Sequence, residues 1–276
     1  MILIADAGST KIEWALLPKL EVTTNGFNAA ISSPSLLKDI LTKEASELLE
    51  EADAVDSIYY YGAGCVGERA QAITEALCEV FNPDLCQVES DLLAAARALC
   101  GREAGIACIL GTGSNSCLYD GKKITANTPA LGFILGDEGS GAVLGKIFIG
   151  RLLKGDFPPQ VSERFRESRG AYNQAEIIRR VYREERPNAF LASLAPFIAQ
   201  NLDIKELEEM VTDEFVRFLR LNVLPYKAPA LPVNFVGSIA LVFASQLKEA
   251  AGRLGLTVGK ILKSPLEAFI EYHLAD

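Results

Sequence analysis

The sequence has little of several residue types on which common active sites depend. It contains one histidine, His273, and no cysteine pair in a C-x-x-C arrangement. One histidine near the end of the chain argues against a Ser-His-Asp triad and against a multi-histidine zinc site. The 6 cysteines lie inside apolar stretches without a repeated spacing, which predicts reduced core thiols in a cytoplasmic protein.

Basic clusters and long apolar segments are also absent from the sequence. No run of Lys and Arg exceeds two residues, and the net charge is -9 with a pI near 4.9. This charge balance argues against nucleic acid or an anionic membrane surface as a partner. No segment approaches the roughly 20 apolar residues that a bilayer span needs, so we expect no membrane-spanning segment.

The sequence does have the length and the apolar content of a two-domain α/β protein. Its 276 residues are 49% apolar, enough for full cores, and we favour two domains. Apolar runs predict strands at ILIAD, KIEWALLP, SIYYYG, CQVES, IACILG, NSCLYDG and VNFVGS. Amphipathic helices lie between them. A charged stretch from about 151 to 222 has helical patterns only, which predicts a helical insertion in the second domain.

One short pattern occurs twice, each time where an apolar strand meets a turn. A shift of 105 residues places Gly8 on Gly113 and Ser9 on Ser114, so each copy predicts a strand, a tight turn and a second strand. Glycine lets the backbone approach a ligand closely, and hydroxyl and N–H groups bind anionic oxygens. Either turn alone could be a plain hairpin, but the pair indicates two phosphate-binding turns in a duplicated fold. The predicted phosphate-binding residues are Gly8, Ser9, Thr10, Lys11, Gly111, Thr112, Gly113 and Ser114.

An ordered set of segments resembles a known family. The segments are DAGSTK, ESDLLAAARAL, GTGSN and LGFILGDEGSGAVLG. They look like the phosphate-1, catalytic, phosphate-2 and substrate segments of the N-acetylglucosamine kinase-like branch of the BadF/BadG/BcrA/BcrD ATPase family. That family belongs to the sugar kinase, heat-shock chaperone and actin superfamily. The resemblance runs from residue 2 to about 145 and continues weakly in NFVGSIA.

The resemblance implies a fold and a division of the chain. The fold is a two-lobe actin-like ATPase (ribonuclease H-like) fold, with duplicated mixed sheets, flanking helices and the helical insertion in the second lobe. The first lobe is expected over residues 1–103 and the second over 104–263. A C-terminal helix at about 264–276 is expected to return to the first lobe, as it does in relatives.

The resemblance also implies a catalytic centre. The family's general base matches Asp91, which follows the strand-like QVES, opens an alanine-rich helix and also belongs to the expected sugar site. An N-cap is the alternative role for this aspartate. Asp6, at the end of the first strand, is suited to bind Mg²⁺ directly or through water. Lys11 either meets a phosphate or is an exposed lysine on the second strand.

Other segments match the parts of the family that bind the sugar and the adenosine. In GDEGSG the sugar-binding aspartate matches Asp137, with Glu138 as a neighbouring candidate, and in TNGFNAA the family's asparagine matches Asn28. The carboxylates could instead complement the dipole of the following helix. FVGSIALVF resembles the adenosine segment, which implies contacts at Gly237 and Ser238.

These observations together predict an ATP- and Mg²⁺-dependent kinase of an amino sugar or related hexose. We expect a small-molecule sugar as the partner, and neither nucleic acid nor a membrane. The sequence is also compatible with a homodimer. One alternative is a non-catalytic ATP-binding regulator with the same fold. Another is an NAD-dependent oxidoreductase that uses GAGCVG at 62–67, which satisfies G-x-G-x-x-G.

The sequence departs from the family at one point before GDEGS. The resembling kinases commonly read G-G-W-G there, whereas this chain has Ala130 and Leu131. An aromatic face contributes apolar area and orients a sugar ring. Its loss predicts an acceptor other than plain N-acetylglucosamine, or one that binds weakly, unless Phe133 or another aromatic residue takes its place.

Overall fold

A computed structural model of the protein describes residues 1–8, 10–170 and 173–274, and of Arg169 the backbone only. The chain separates into two compact units, Met1–Arg102 with Pro265–Asp276, and Glu103–Ser264. Ser9, one of the predicted phosphate-binding residues, lies outside the described residues. No helix in the described ranges is long and apolar enough to cross a membrane.

The first unit contains a mixed sheet whose parallel strands end together. Its strands are β1 (Ile2–Ala7), β2 (Lys11–Leu17), β3 (Leu20–Asn25), β4 (Ser57–Gly62) and β5 (Leu85–Ser90). They lie in the order β3-β2-β1-β4-β5. β2 is antiparallel to both β1 and β3, whereas β4 and β5 extend the sheet parallel to β1.

The second unit repeats this sheet strand by strand. Its strands are β6 (Ala104–Leu110), β7 (Ser114–Asp120), β8 (Ile124–Thr128), β9 (Val233–Val236) and β10 (Val258–Leu262). They lie in the order β10-β9-β6-β7-β8, with β7 antiparallel to β6 and β8, and with β9 and β10 parallel to β6. Each strand therefore has a counterpart in the first sheet, which confirms the predicted duplication of a mixed α/β sheet.

Helices make up most of the remaining chain. In the first unit they are α1 (Pro34–Glu44), α2 (Ser46–Glu50), α3 (Glu68–Phe81) and α4 (Asp91–Cys100). In the second unit they are α5 (Gly132–Leu135), α6 (Gly141–Leu153), α7 (Pro159–Arg169), α8 (Gln174–Tyr182), α9 (Pro187–Ala192), α10 (Ala195–Gln200), α11 (Lys205–Asn222), α12 (Ser238–Val242) and α13 (Ala244–Arg253). The last helix, α14 (Leu266–Leu274), belongs to the first unit. Short 3₁₀ helices lie at Ala52–Ala54 and Leu224–Tyr226.

Both faces of the first sheet are buried, which explains its nearly continuous apolar strands. Leu3, Trp14 and Tyr60 share a core with α1 and α3, and Ile4 and Tyr61 share another with α4 and α14. The cysteines are free and partly or fully buried, as predicted. Packing on both faces leaves the strand ends as the places where polar side chains can collect.

Candidate active site

One edge of the first sheet carries three of the predicted functional segments. The parallel register places Ala7 beside Gly62 and Gly62 beside Ser90. The turn after β1, the Gly-rich turn after β4 and the residue after β5, Asp91, therefore share this edge. In open α/β sheets, ligands bind at the carboxyl ends of the strands.

Backbone hydrogen bonds hold the turn between β1 and β2. Gly8 N donates to Lys11 O at 2.9 Å, and Phe27 N donates to Gly8 O at 3.1 Å. A Cβ on Gly8 would lie 3.3 Å from Lys11 O, so the turn fits closely around glycine. Thr10 and Lys11 are exposed, and Lys11 Nζ pairs with Glu13 Oε1 at 2.7 Å. The turn therefore presents a hydroxyl to solvent and carries a lysine paired with a carboxylate.

The loop after β3 brings Asn28 close to this turn. Phe27, the preceding residue, donates to the turn, and Asn28 Oδ1 accepts a hydrogen bond from Ala30 N at 2.9 Å. Ala29 N donates to Ala63 O at 2.9 Å. Asn28 is therefore anchored between the turn after β1 and the Gly-rich turn after β4.

Carboxylates cluster at the same edge. Asp6 and Glu13 are cross-strand partners on β1 and β2, and Asp91 is the first residue of α4. Burial, with the nearby charges of Glu13 and Asp91, raises the pKa of Asp6 to about 7, and Lys11 opposes part of this rise. Burial also raises the pKa of Asp91, although its carboxylate accepts the backbone N–H of Leu92. The cluster favours a proton or a cation that would compensate its charge.

The N-cap of α4 is not Asp91. Ser90 Oγ accepts a hydrogen bond from Leu93 N at 3.2 Å and caps the helix. The capping role considered for Asp91 is therefore wrong, because the preceding serine fills it and places the aspartate within the first helical turn. The Asp91 carboxylate accepts backbone N–H groups in the first turn of α4 without being its N-cap.

The carboxylates suit Mg²⁺ better than a metal held by protein alone. Among the described residues, no group of three or more His, Cys, Asp or Glu side chains could hold a metal ion. Mg²⁺ is usually bound by one or two carboxylates and keeps waters and phosphate oxygens as its other ligands. Asp6 is half-buried beside the negative charges of Glu13 and Asp91, which is the chemistry such a ligand would have.

The G-x-G-x-x-G pattern at 62–67 has a packing explanation. A Cβ on Gly62 would lie 2.8 Å from Cys65 Sγ, and one on Gly64 would lie 2.5 Å from Ala30 N. Gly64 also has φ +77, where glycine is favoured. The surrounding sheet has an antiparallel hairpin, whereas the dinucleotide-binding fold has mostly parallel strands. Gly64 lets the chain pack against the loop that contains Asn28, and Gly62 makes room for the Cys65 side chain. The oxidoreductase alternative therefore loses its support.

In the second unit, the turn between β6 and β7 contacts Asp137. The Asp137 carboxylate accepts the backbone N–H groups of Ser114 and Gly132, while burial raises its pKa. A Cβ on Gly113 would lie 3.0 Å from Asp137 Oδ2. The second unit therefore brings a predicted sugar-binding carboxylate into contact with a predicted phosphate-binding turn.

The start of α6 holds the other side of this turn. Gly141 N donates to Gly111 O at 2.8 Å, and Ala142 N donates to Thr112 O at 3.1 Å. A Cβ on Gly111 would meet no atom within 4 Å. The carbonyl oxygens of the turn are thus directed to α6, and open space is left beside Gly111.

Gly237 connects the predicted adenosine segment to the same turn. Its φ is +123, and a Cβ there would lie 2.3 Å from Leu110 O and 3.3 Å from Gly111 N. Only glycine allows this approach. Ser238, the exposed first residue of α12, follows directly. The two segments therefore meet at the ends of β6 and β9.

Glu138 is directed to α11. The residue is 8% exposed, and its carboxylate accepts hydrogen bonds from Arg217 Nη2 at 3.4 Å and Asn222 Nδ2 at 3.3 Å. Glu214, 6% exposed, accepts one from Gly139 N at 3.3 Å. Gly139 and Glu214 are 75 positions apart. A contact over such a distance leaves no short motif in the sequence, so Glu214 and Arg217 could not be predicted as parts of this site.

Glu13 was also missed, although the sequence carries a signal for it. It lies on β2 opposite Asp6, and the two residues are cross-strand partners in an antiparallel pair. Once the hairpin is predicted, counting from the turn would pair the two carboxylates. The structure thus adds Glu13 to the first unit's acidic cluster.

Apolar side chains before Asp137 are exposed. Leu131, Ile134 and Leu135 are 58%, 74% and 75% exposed. A Cβ on Gly136 would lie 3.1 Å from Leu131 Cβ, which places Leu131 against the residue before Asp137. Phe133, in contrast, is partly buried against the core of the second unit.

Comparison with known proteins identifies relatives among solved structures. A scan of protein-family models and a search of curated proteins find no match. The "putative N-acetylglucosamine kinase" of Porphyromonas gingivalis is 45% identical with a TM-score of 0.97, covering 100% of this chain and 99% of that one. A "putative N-acetylglucosamine kinase" of Chromobacterium violaceum is 16% identical with a TM-score of 0.69, covering 98% of both chains.

A third structure extends the likeness to another group of kinases. It is a ROK family glucokinase of Streptomyces griseus in complex with glucose and AMPPNP, 15% identical with a TM-score of 0.54, covering 96% of this chain and 95% of that one. At such identities the second and third structures show the fold alone. The first is similar in sequence over its whole length. The chain therefore belongs to the N-acetylglucosamine kinase-like branch of the actin-like ATPase superfamily.

Proposed function

We propose that the protein is an ATP-dependent sugar kinase that phosphorylates a hydroxyl group of an amino sugar of the N-acetylglucosamine type. Family membership supports the reaction class, since the relative that is 45% identical carries the name of such a kinase. The observation that carries the chemistry is Asp91, a half-buried aspartate with a raised pKa at the sheet edge that also holds Asp6. The free cysteines fit a cytoplasmic location.

Asp91 is the proposed general base. It begins α4, whose Ala94 and Ala98 are buried in the core, so the helix holds the carboxylate in place. A raised pKa makes the carboxylate a better proton acceptor than an exposed aspartate. As the sugar oxygen forms a bond to the γ-phosphorus, Asp91 accepts the hydroxyl proton. The bond from the γ-phosphorus to the bridging oxygen breaks, which gives the sugar phosphate and ADP.

Asp6 is the proposed partner of Mg²⁺, directly or through water. When bound, the ion neutralises charge on the phosphate oxygens. The pKa of about 7 means that Asp6 binds a proton near neutral pH when no cation compensates its charge. A carboxylate in this environment gains more from a cation than an exposed one does.

The remaining residues are proposed to bind phosphate, adenosine and sugar. The turns at 8–11 and 111–114 would bind phosphate oxygens through N–H and hydroxyl groups. Gly237 and Ser238 would contact the adenosine. Asp137 would accept hydrogen bonds from sugar hydroxyls, which would compensate the desolvation that raises its pKa.

A coupled assay of ADP release with Mg-ATP tests this function. The panel contains N-acetylglucosamine, glucosamine, N-acetylmannosamine, glucose and a reaction without sugar. We expect ADP release that depends on an amino sugar, a product heavier by one phosphoryl group, and loss of activity in EDTA. ADP release at the same rate with and without every sugar would contradict the proposal.

A further inference from the structure

The turn that carries Asp137 has an uncommon backbone conformation and is in contact with another helix. Asp137 has φ +55 and Gly139 has φ +70, so two of its residues are in the left-handed region. Few non-glycine residues adopt this conformation, and aspartate is among those that do so most often. The residues that follow Asp137 are also held by contacts with another helix.

Those contacts come from α11. Glu138 accepts hydrogen bonds from Arg217 Nη2 at 3.4 Å and from Asn222 Nδ2 at 3.3 Å. Glu214 accepts one from Gly139 N at 3.3 Å, and its other oxygen lies 3.8 Å from Arg217 Nη1. The side chain of Arg217 thus bridges one carboxylate of the turn and one of the helix.

Arg217 is the cation in contact with both carboxylates, 3.4 Å from Glu138 and 3.8 Å from Glu214, and the charge of Lys146 also acts on Glu214. Both are nearly fully buried, and burial raises the pKa of Glu214, with Glu138 acting in the same direction and Arg217 against it. Without the guanidinium, Glu138 and Glu214 would repel each other at close range. The repulsion would act on the two residues that directly follow Asp137.

We propose that Arg217 is a positioning residue, which bridges Glu138 and Glu214 and thereby fixes the turn that presents the Asp137 carboxylate to the acceptor sugar. The inference rests on the proposed function for the sugar-binding role of Asp137. It assigns to α11 a part in acceptor binding without contact to the sugar. We expect the bridge to matter more for the sugar than for ATP, because the turn at 111–114 is also held by Gly141 N and Ala142 N at the start of α6.

Steady-state kinetics of Arg217→Met and Arg217→Lys test the consequence for the acceptor. We expect Arg217→Met to raise the sugar KM roughly 10-fold or more while the ATP KM changes less than about 2-fold. Arg217→Lys keeps the charge and should recover part of the loss. Arg220→Met, an exposed arginine on the same helix, is the matched control and should leave both KM values unchanged.

A double variant distinguishes charge repulsion from a general loss of stability. Glu214→Gln with Arg217→Met removes the repulsion and keeps an oxygen that accepts from Gly139 N. We expect the double variant to recover the sugar KM relative to Arg217→Met alone. Equal sugar KM values in the two proteins, with equally lowered Tm, would show a merely structural role and overturn the inference.

Hydrogen–deuterium exchange of the full chain tests the bridge without reference to activity. Amides in 136–141 should exchange faster in Arg217→Met than in the wild type by roughly 10-fold, because the turn opens more often. Unchanged exchange, or faster exchange with an unchanged sugar KM, overturns the inference. A wild type that phosphorylates no sugar instead contradicts the proposed function, and the exchange rates then decide whether Arg217 holds the turn.

Discussion

Gly113 leaves the space that the Asp137 carboxylate occupies, since a Cβ on Gly113 would lie 3.0 Å from Asp137 Oδ2. Gly111, in the same turn, has no atom within 4 Å of its Cβ position. The two glycines therefore have different roles in the turn. Gly113 accommodates a side chain of the protein, and Gly111 borders open space in which we place the phosphates.

Alanine at each position should separate these two roles. Gly111→Ala should weaken binding of Mg-AMPPNP about 10-fold, a loss of about 1.4 kcal/mol, while Tm and the sugar KM stay near wild type. Gly113→Ala should displace Asp137 and raise the sugar KM as well. Calorimetry measures the nucleotide affinity, and initial rates measure the sugar KM. Wild-type nucleotide affinity in Gly111→Ala would contradict the phosphate-binding role of this turn.

Removal of the proposed base should affect turnover rather than binding. Asp91→Asn should lower kcat roughly 10² to 10⁴-fold and leave nucleotide affinity unchanged. In the wild type, kcat/KM should fall as the pH drops through the raised pKa of Asp91, because the base must be ionised. This acid limb should disappear in the variant.

The control is Asp84→Asn, which changes an exposed aspartate just before β5. This substitution removes the same charge as Asp91→Asn, but at the opposite end of β5. We expect wild-type kinetics from it. Wild-type turnover in Asp91→Asn would eliminate the assigned base.

The strands that the sequence did not predict are edge strands, although one edge strand, β5, was predicted. The apolar runs found β1, β2, β4, β5, β6, β7 and β9, whereas β3, β8 and β10 were missed. The missed strands all lie at sheet edges. An edge strand with a solvent-exposed side needs few apolar residues, and LEVTTN and ITANT have only two each. Their pairing is determined by the neighbouring strand rather than by their own pattern.

The candidate site was predictable where its residues act through local segments. The turns at 8–11 and 111–114 and the placement of Asp91 after a strand follow from short patterns, and the structure puts them at strand ends. The contact of Gly113 with Asp137 and the bridge formed by Arg217 connect distant segments. Such contacts depend on packing in three dimensions, which a single sequence read by itself does not show as a local pattern.

Asp6→Asn should change how stability depends on pH. The folded-state pKa is about 7 against an ordinary 3.8, so the folded chain binds this proton more tightly than the unfolded chain. The resulting stabilisation is fully present below the ordinary pKa and is lost as the pH rises through about 7. At pH 8 the variant should be more stable by on the order of 2 to 4 kcal/mol. The difference should be small near pH 4, where wild-type Asp6 is protonated.

Thermal denaturation between these pH values measures the effect, with Asp53→Asn, an exposed aspartate, as the control. Added MgCl₂ should raise the Tm of the wild type at pH 8 and not that of Asp6→Asn, because the cation compensates the ionised carboxylate. If the Tm of the wild type and that of Asp6→Asn depend on pH in the same way, the pKa of Asp6 is not raised in the folded protein.

Two glycines of α6 should respond oppositely to alanine. A Cβ on Gly145 would lie 1.9 Å from Leu191 O in α9, whereas one on Gly150 would meet no atom within 4 Å. Gly145→Ala should therefore destabilise the fold by about 1 to 3 kcal/mol through overpacking. Gly150→Ala should stabilise it by about 0.5 to 1 kcal/mol, because alanine favours the helix. Urea denaturation gives both values, and equal stability of the two variants would contradict the close packing of α6 on α9.

The exposed Leu131 is the position at which acceptor specificity can be tested. The Leu131 residue is 58% exposed and lies against the residue before Asp137, whereas Phe133 packs against the core of the second unit. Leu131→Trp should therefore lower the KM for N-acetylglucosamine, because a tryptophan face adds apolar area against the sugar ring. The same change should raise the KM for 3-O-substituted amino sugars, since the larger side chain takes the space of the substituent.

Ile134→Trp, at another exposed position of the same segment, is the matched control for the effect of a surface tryptophan. A change in the ranking of bare and 3-O-substituted amino sugars that occurs in Leu131→Trp but not in Ile134→Trp assigns specificity to position 131. Both variants ranking the panel as the wild type does, with the same KM values, would mean that Leu131 does not face the sugar. The prediction that the acceptor differs from plain N-acetylglucosamine would then lose its support.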